Sequence, residues 1–190
     1  MKQTEHMMIS SPWVMVDLIV FDTPKRAQSL LDSFYKCASS NITEPELEIA
    51  GEALPIQLPT GEHPALRGVV WLDMDCEEAI DEWVQAQDEA PPFMVVMGYV
   101  DAAKSQYPAQ VWARLPGQDA QMQGDLDGDE IAALIGVDPR QTVESGSFAE
   151  TVVGMVLELP GFDGFTAHIN AMELDDNTSK APAPSRSPRI

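Results

Sequence analysis

The chain has 190 residues, 44% of them hydrophobic, enough for one domain with a proper core and too apolar for disorder throughout. Its charge is far from balanced, with 31 Asp and Glu against 11 Lys and Arg, a formal net charge of −20. Such a surface repels nucleic acid and anionic membrane, because contact with phosphate needs cations, and it attracts basic proteins.

Only Cys37 and Cys76 occur, with neither C-x-x-C nor metal-ligand spacing, which excludes a disulfide scaffold and suits a reducing cytoplasm. No stretch approaches the ~20 apolar residues of a membrane span. The first apolar run, WVMVDLIVF (13–21), is interrupted by Asp17 and followed by no small-residue cleavage site, so it reads as part of the fold and not as a secretory leader. A cytoplasmic protein without membrane contact is the expectation.

That run is rich in Val, Ile and aromatic residues and too continuous for a half-exposed strand, so it predicts a strand covered on both faces. Thr23 and Pro24 then suit the N-cap and first position of a helix, and Ala27, Leu30, Leu31, Phe34, Tyr35 and Ala38 repeat at helical spacing over about 24–38. ELEIAGEALPIQLP predicts two short edge strands around Gly51, kept from a sheet centre by Pro55 and Pro59. RGVVWLDM (67–74) is the next strong strand, followed by a helix over about 76–88.

PPFMVVMGYV (91–100) and AQVWARL (109–115) predict two antiparallel strands, and 116–128 a loop leading to a short helix, DEIAALIGV. Ser147 and Glu150 are spaced as a capping box ahead of a further helix. FTAHINAMEL (165–174) alternates Phe165, Ala167, Ile169 and Ala171 with polar residues, which predicts a strand with one wet face. The Pro- and Ser-rich segment from 176 to 190 has no apolar periodicity and is expected to be a disordered basic tail. Together these elements predict a single α+β domain over 1–175, with a mixed, mostly antiparallel sheet and helices packed mainly on one face.

The segment DMDCEEAIDEWVQAQDE (73–89) holds eight carboxylates and no Lys or Arg. Asp75 with Glu78 suits a capping box. At about 100° of rotation per residue, Glu77, Glu78, Asp81, Glu82, Asp88 and Glu89 share one stripe, and Ile80, Trp83 and Val84 share the other. Like-charge pairs such as Glu78–Glu82 each cost ~0.2–0.5 kcal/mol. Glu77 and Glu78 recover part of that beside the positive end of the helix dipole. No Lys or Arg appears over 68–103 or 115–139 either, so charge of one sign recurs instead of alternating. The competing explanation is a solvated face that only keeps the chain soluble.

Other candidate chemistry is thinner. DLDGDE (125–130) begins like a calcium loop, but Glu130 stands where the loop needs Gly and Gly136 where it needs the bidentate Glu, so a helix cap is the expected role. His6, His63 and His168 are far apart and lack metal spacing, and no phosphate-cradling glycine motif occurs, so neither metal nor cofactor is expected. A helix start at Cys76 would favour the thiolate, but Asp73, Asp75, Glu77 and Glu78 around it oppose that, so a nucleophilic thiol is not expected. Asp17 is the one polar residue in a run that should be buried, which suggests an edge position or a hydrogen-bonded structural carboxylate.

The expectation is therefore a non-enzymatic acidic binding protein. It would inhibit or mask a basic protein, one that handles nucleic acid, without touching nucleic acid itself. The contact stripe would comprise Glu77, Glu78, Asp81, Glu82, Asp88 and Glu89, seconded by Asp125, Asp127 and Asp129. Small acidic proteins of plasmids and phages with antirestriction, anti-CRISPR or conjugation-inhibiting roles are similar in class, and some act as DNA mimics. The alternatives are a secretion chaperone or toxin-immunity protein with an apolar groove on the strands of 93–100, and an enzyme using Asp17 or His168.

Overall fold

The computed structural model describes residues 13–41, 52–53, 56–58, 61–73, 76–99, 109–135 and 147–179. The tail from 180 onward lies outside them, as do His6, Pro55, Asp75 and Gly136. The element order is β1 (Trp13–Val20), α1 (Pro24–Asn41), β2 (Glu52–Ala53), β3 (Ile56–Leu58), β4 (Gly61–His63), β5 (Leu66–Asp73) and α2 (Glu77–Gln85). It continues with β6 (Phe93–Tyr99), β7 (Ala109–Arg114), β8 (Gln121–Leu126), α3 (Gly128–Ile135), α4 (Ser147–Leu157) and α5 (Asp163–Ser179).

Six strands form one sheet in the order β2-β5-β1-β6-β7-β8, and every pairing is antiparallel. β3 and β4 form a separate hairpin. The apolar run 13–21 is central for the reason its composition suggests: β1 lies between β5 and β6, and Val14 through Val20 are buried on both faces. β2, followed two residues on by Pro55, pairs only at the sheet edge beyond β5.

The α+β class holds, while the helices divide between both faces of the sheet. Val14, Val16, Leu18 and Val20 of β1 point toward α1 and α2, joining Leu31, Phe34, Ile80 and Trp83 in one core cluster. Met15 and Ile19 point the other way, toward Phe148, Val152 and Val156 of α4 and Phe165 and Ile169 of α5. This period-two split is what buries β1 twice. Close approach is fitted locally: a Cβ on Gly98 in β6 would come within 2.7 Å of the Phe148 ring, and one on Gly68 in β5 within 2.5 Å of Leu31 Cδ2.

Two elements differ from the sequence-based expectation. Residues 165–174 belong to α5 and not to a strand: the buried positions are Phe162, Phe165 and Ile169, three and four residues apart, whereas Ala167 and Ala171 are exposed. The alternation was carried by alanines that pack against nothing. Within the expected loop 116–128, Gln121–Leu126 forms β8, an edge strand whose polar sequence gives no burial signal because only its β7 side is paired.

Candidate functional site

The acidic segment folds as α2 with its apolar stripe docked as expected: Ile80, Trp83 and Val84 are buried. The helix is shorter than expected. Cys76 is its N-cap and makes no side-chain cap bond, and the helix ends at Gln85. Asp88 and Glu89 therefore sit in the turn that follows, with four carboxylates on the helix itself.

Polar tethers fix α2 at three places. Trp83 Nε1 donates to Ser33 Oγ on α1 at 3.1 Å, while its ring lies edge-on to Phe34 and Phe93 at 5.3 and 5.6 Å. Trp112 Nε1 on β7 donates to Asp81 Oδ1 at 3.1 Å. Arg114, also on β7, reaches the far end of the helix, where the last carbonyls have no intrahelical donors. It donates to Val84 O at 2.7 Å and also to Gln85 O and Asp88 Oδ1. Arg114 is buried, so a guanidinium closes the negative end of the helix dipole.

These tethers sort the six expected stripe residues. Asp88 is neutralised by Arg114 although its side chain is 79% exposed, and Asp81 is engaged by Trp112. Glu77, Glu78, Glu82 and Glu89 are exposed, and among the described residues no cation pairs with them. The second group does not extend this face. Asp127 and Asp129 stand at the start of α3, which packs on α4 and contributes Ile131 to the core on the opposite side of the sheet from α2. Asp125 lies in β8. Asp127 Oδ1 accepts from the backbone N–H of Asp129 at 2.8 Å, so it caps α3 as the helix reading of DLDGDE expects. Among the described residues no cluster of His, Cys, Asp and Glu is placed to hold a metal ion.

Asp17 is at the centre of the sheet, fully buried, and Arg67 Nε on β5 donates to its Oδ1 at 2.7 Å, with Arg67 Nη2 at 3.4 Å from Oδ2. It is a hydrogen-bonded structural carboxylate and not an edge residue. Burial pushes its pKa up to about 6 even against the pull of Arg67. It is not among the residues that line the cavity beside His168. His63 is likewise buried, on β4.

His168, on α5, is half-buried and lines a cavity of about 350 Å³ together with Asp22, Arg26 and Pro116. A second cavity of about 440 Å³ adjoins it between α1 and residues 86–91, and Arg26 and Glu89 line both. Asp22 is buried, accepts from Thr23 N at 2.6 Å and holds Arg26 Nε at 2.9 Å. Sequence reading missed this groove because its walls come from four separate segments. The one local signal was Asp22 and Arg26 at i, i+4 across the start of α1.

No family model matches the chain, and no curated protein matches it in sequence. Among solved structures it matches LarC2, the C-terminal domain of a cyclometallase involved in the synthesis of the NPN cofactor of lactate racemase, in its apo form. The TM-score is 0.30, with 10% identity over 76% of this chain and 97% of that one. A likeness at that level carries no argument about this chain. Among the described residues no helix is long and apolar enough to cross a membrane.

Proposed function

We propose that the protein is a non-enzymatic, cytoplasmic acidic binding protein that masks a basic partner, of the nucleic-acid-handling kind, through the outer face of α2. The observation that carries this reading is the pairing of rigidity with uncompensated charge. Glu77, Glu78 and Glu82 project from a helix tethered through Trp83, Asp81 and its C-terminal carbonyls, and no described cation offsets them. A fixed array of carboxylates loses little entropy on meeting a cationic surface, so its electrostatic attraction is retained as affinity and speeds encounter. A solvated face that served only solubility would need no tethering. The Trp112–Asp81 bond spends one carboxylate on holding the others in place.

The contact surface is narrower than the sequence suggests. It centres on Glu77, Glu78 and Glu82, with Glu89 at its margin, and leaves out the α3 group across the sheet. The plasmid or phage setting of similar acidic inhibitors remains the class-level analogue. The chaperone or immunity-protein alternative draws no support from β6, because Phe93 through Met97 are fully buried and offer no apolar groove. Substitution of Glu77, Glu78 and Glu82 by Lys, followed by partner capture across a range of salt, tests the reading.

A further inference from the structure

The two adjoining cavities beside Arg26 form a groove that shares only Glu89 with the proposed acidic contact surface. One wall is α1, with Arg26, Ser29 and Ser33. The other is the connection from α2 to β6, with Glu89 and Pro91. At one end the groove runs to His168, Pro92 and Pro116. We propose that this groove binds a small zwitterion, an amino acid or a short peptide, with its carboxylate on Arg26 and its ammonium on Glu89.

The charges in the groove are already partly spent, and what is left over decides the ligand. Asp22 is satisfied by Thr23 N and by Arg26 Nε. Holding the guanidinium by Nε leaves its two Nη groups as an oriented fork, the arrangement that grips a carboxylate bidentately. Asp88 is taken by Arg114, which leaves Glu89 as the unpaired carboxylate of the facing wall. A simple anion would meet Arg26 but also Glu89 and the field of a chain carrying −20. A simple cation would meet Glu89 but also Arg26. A molecule bearing both charges satisfies both walls. Ser33 Oγ already accepts from Trp83 Nε1, so its hydroxyl proton is free to donate toward a carboxylate on α1.

The groove is also preformed. The wall that bears Glu89 is stiffened by Pro91 and Pro92, tied through Gly117 N to Asp88 O at 2.9 Å and through Phe21 N to Pro92 O at 2.8 Å. Little ordering is needed when a ligand enters. The volumes, about 350 and 440 Å³, fall in the range of small-molecule sites.

Titration of the full-length chain with glycine, glycylglycine and triglycine, followed by amide NMR, tests this, with acetate and ethylammonium as single-charge controls. The expected result is saturable shifts at residues 86–90 and around Arg26 for at least one of the three, with a dissociation constant in the millimolar range. Both controls bind at least about ten-fold more weakly, as do the variants Glu89→Gln and Arg26→Gln. Arg26→Lys keeps a cation beside Asp22 but lacks the fork, and it too loses the response. Absence of saturable shifts, equal binding of acetate, or undiminished binding by folded variants overturns the proposal. None of these outcomes bears on the Glu77, Glu78 and Glu82 face.

Discussion

Asp88, at the surface, and Arg114, beneath it, form an ion pair in which the buried partner does more than balance charge, since the same guanidinium holds the Val84 and Gln85 carbonyls at the end of α2. The two halves of the pair therefore differ in worth. Replacing Arg114 by Leu strands the carbonyls and removes a packed stem, and is expected to destabilise the fold by about 2–3 kcal/mol. Asp88→Asn gives up only an exposed partner and should cost below about 1 kcal/mol. Urea unfolding of the two variants side by side measures the asymmetry. Equal losses would mean that the surface charge, and not the carbonyl cap, is what Arg114 serves.

Asp17 and Arg67 are the second such pair, wholly inside. Removing the cation leaves a fully buried carboxyl without its partner, so Arg67→Met is expected to cost about 3–5 kcal/mol, while the double replacement Asp17→Leu with Arg67→Met should come out near neutral. Denaturant unfolding of the single and double variants separates these outcomes.

The same pair gives stability an unusual pH dependence. The folded pKa of Asp17, about 6, lies above the ordinary value of 3.8, so the folded protein binds this proton more tightly than the unfolded chain does. The contribution of Asp17 is fully present below pH 3.8 and is lost as pH rises through about 6. Most structural carboxylates behave in the opposite sense. Between pH 4 and 7 the wild type should lose stability relative to the Asp17→Leu, Arg67→Met variant, and carboxyl ¹³C NMR should show Asp17 titrating near 6. A midpoint at or below 4, or a constant difference between the two proteins, would contradict this.

Packing makes a prediction at Gly98. A methyl group there would press on Phe148 Cε1 and Cζ, and both the strand and α4 are fixed around it. Gly98→Ala should destabilise by about 1–3 kcal/mol. Restoring room with Phe148→Leu should recover part of the loss, which a double-mutant cycle would read as coupling.

Much of the fold was legible because burial leaves a period in the sequence. β1, β5, β6 and β7 announce themselves as apolar runs, and α1 and α2 as stripes. β8 does not, because Gln121 to Leu126 is an edge strand whose pairing is backbone work. α5 misled because Ala167 and Ala171 completed an alternation that Phe162, outside the expected strand, would have broken. At the candidate site, the outward carboxylates of α2 followed from angle alone. The loss of Asp88 to Arg114 did not, since residues 26 apart meet only through the sheet register. Arg67 as partner of Asp17 was hidden in the same way, 50 positions away.

The most direct measurement compares the wild type with the Glu77→Lys, Glu78→Lys, Glu82→Lys variant as bait in lysate of the host, at low and high salt. Reversal makes the contacts of positions 77 and 78 with Asp81 attractive, but it keeps 78 and 82 alike in sign and sets cations at the positive end of the helix dipole. A loss of about 1 kcal/mol is therefore expected, which urea unfolding checks, while Asp81 keeps its bond to Trp112. The wild type should retain a specific cationic protein which salt releases, and the variant should retain none of it. Undiminished capture by the variant, or capture indifferent to salt, would contradict the claim that this face is what the partner meets.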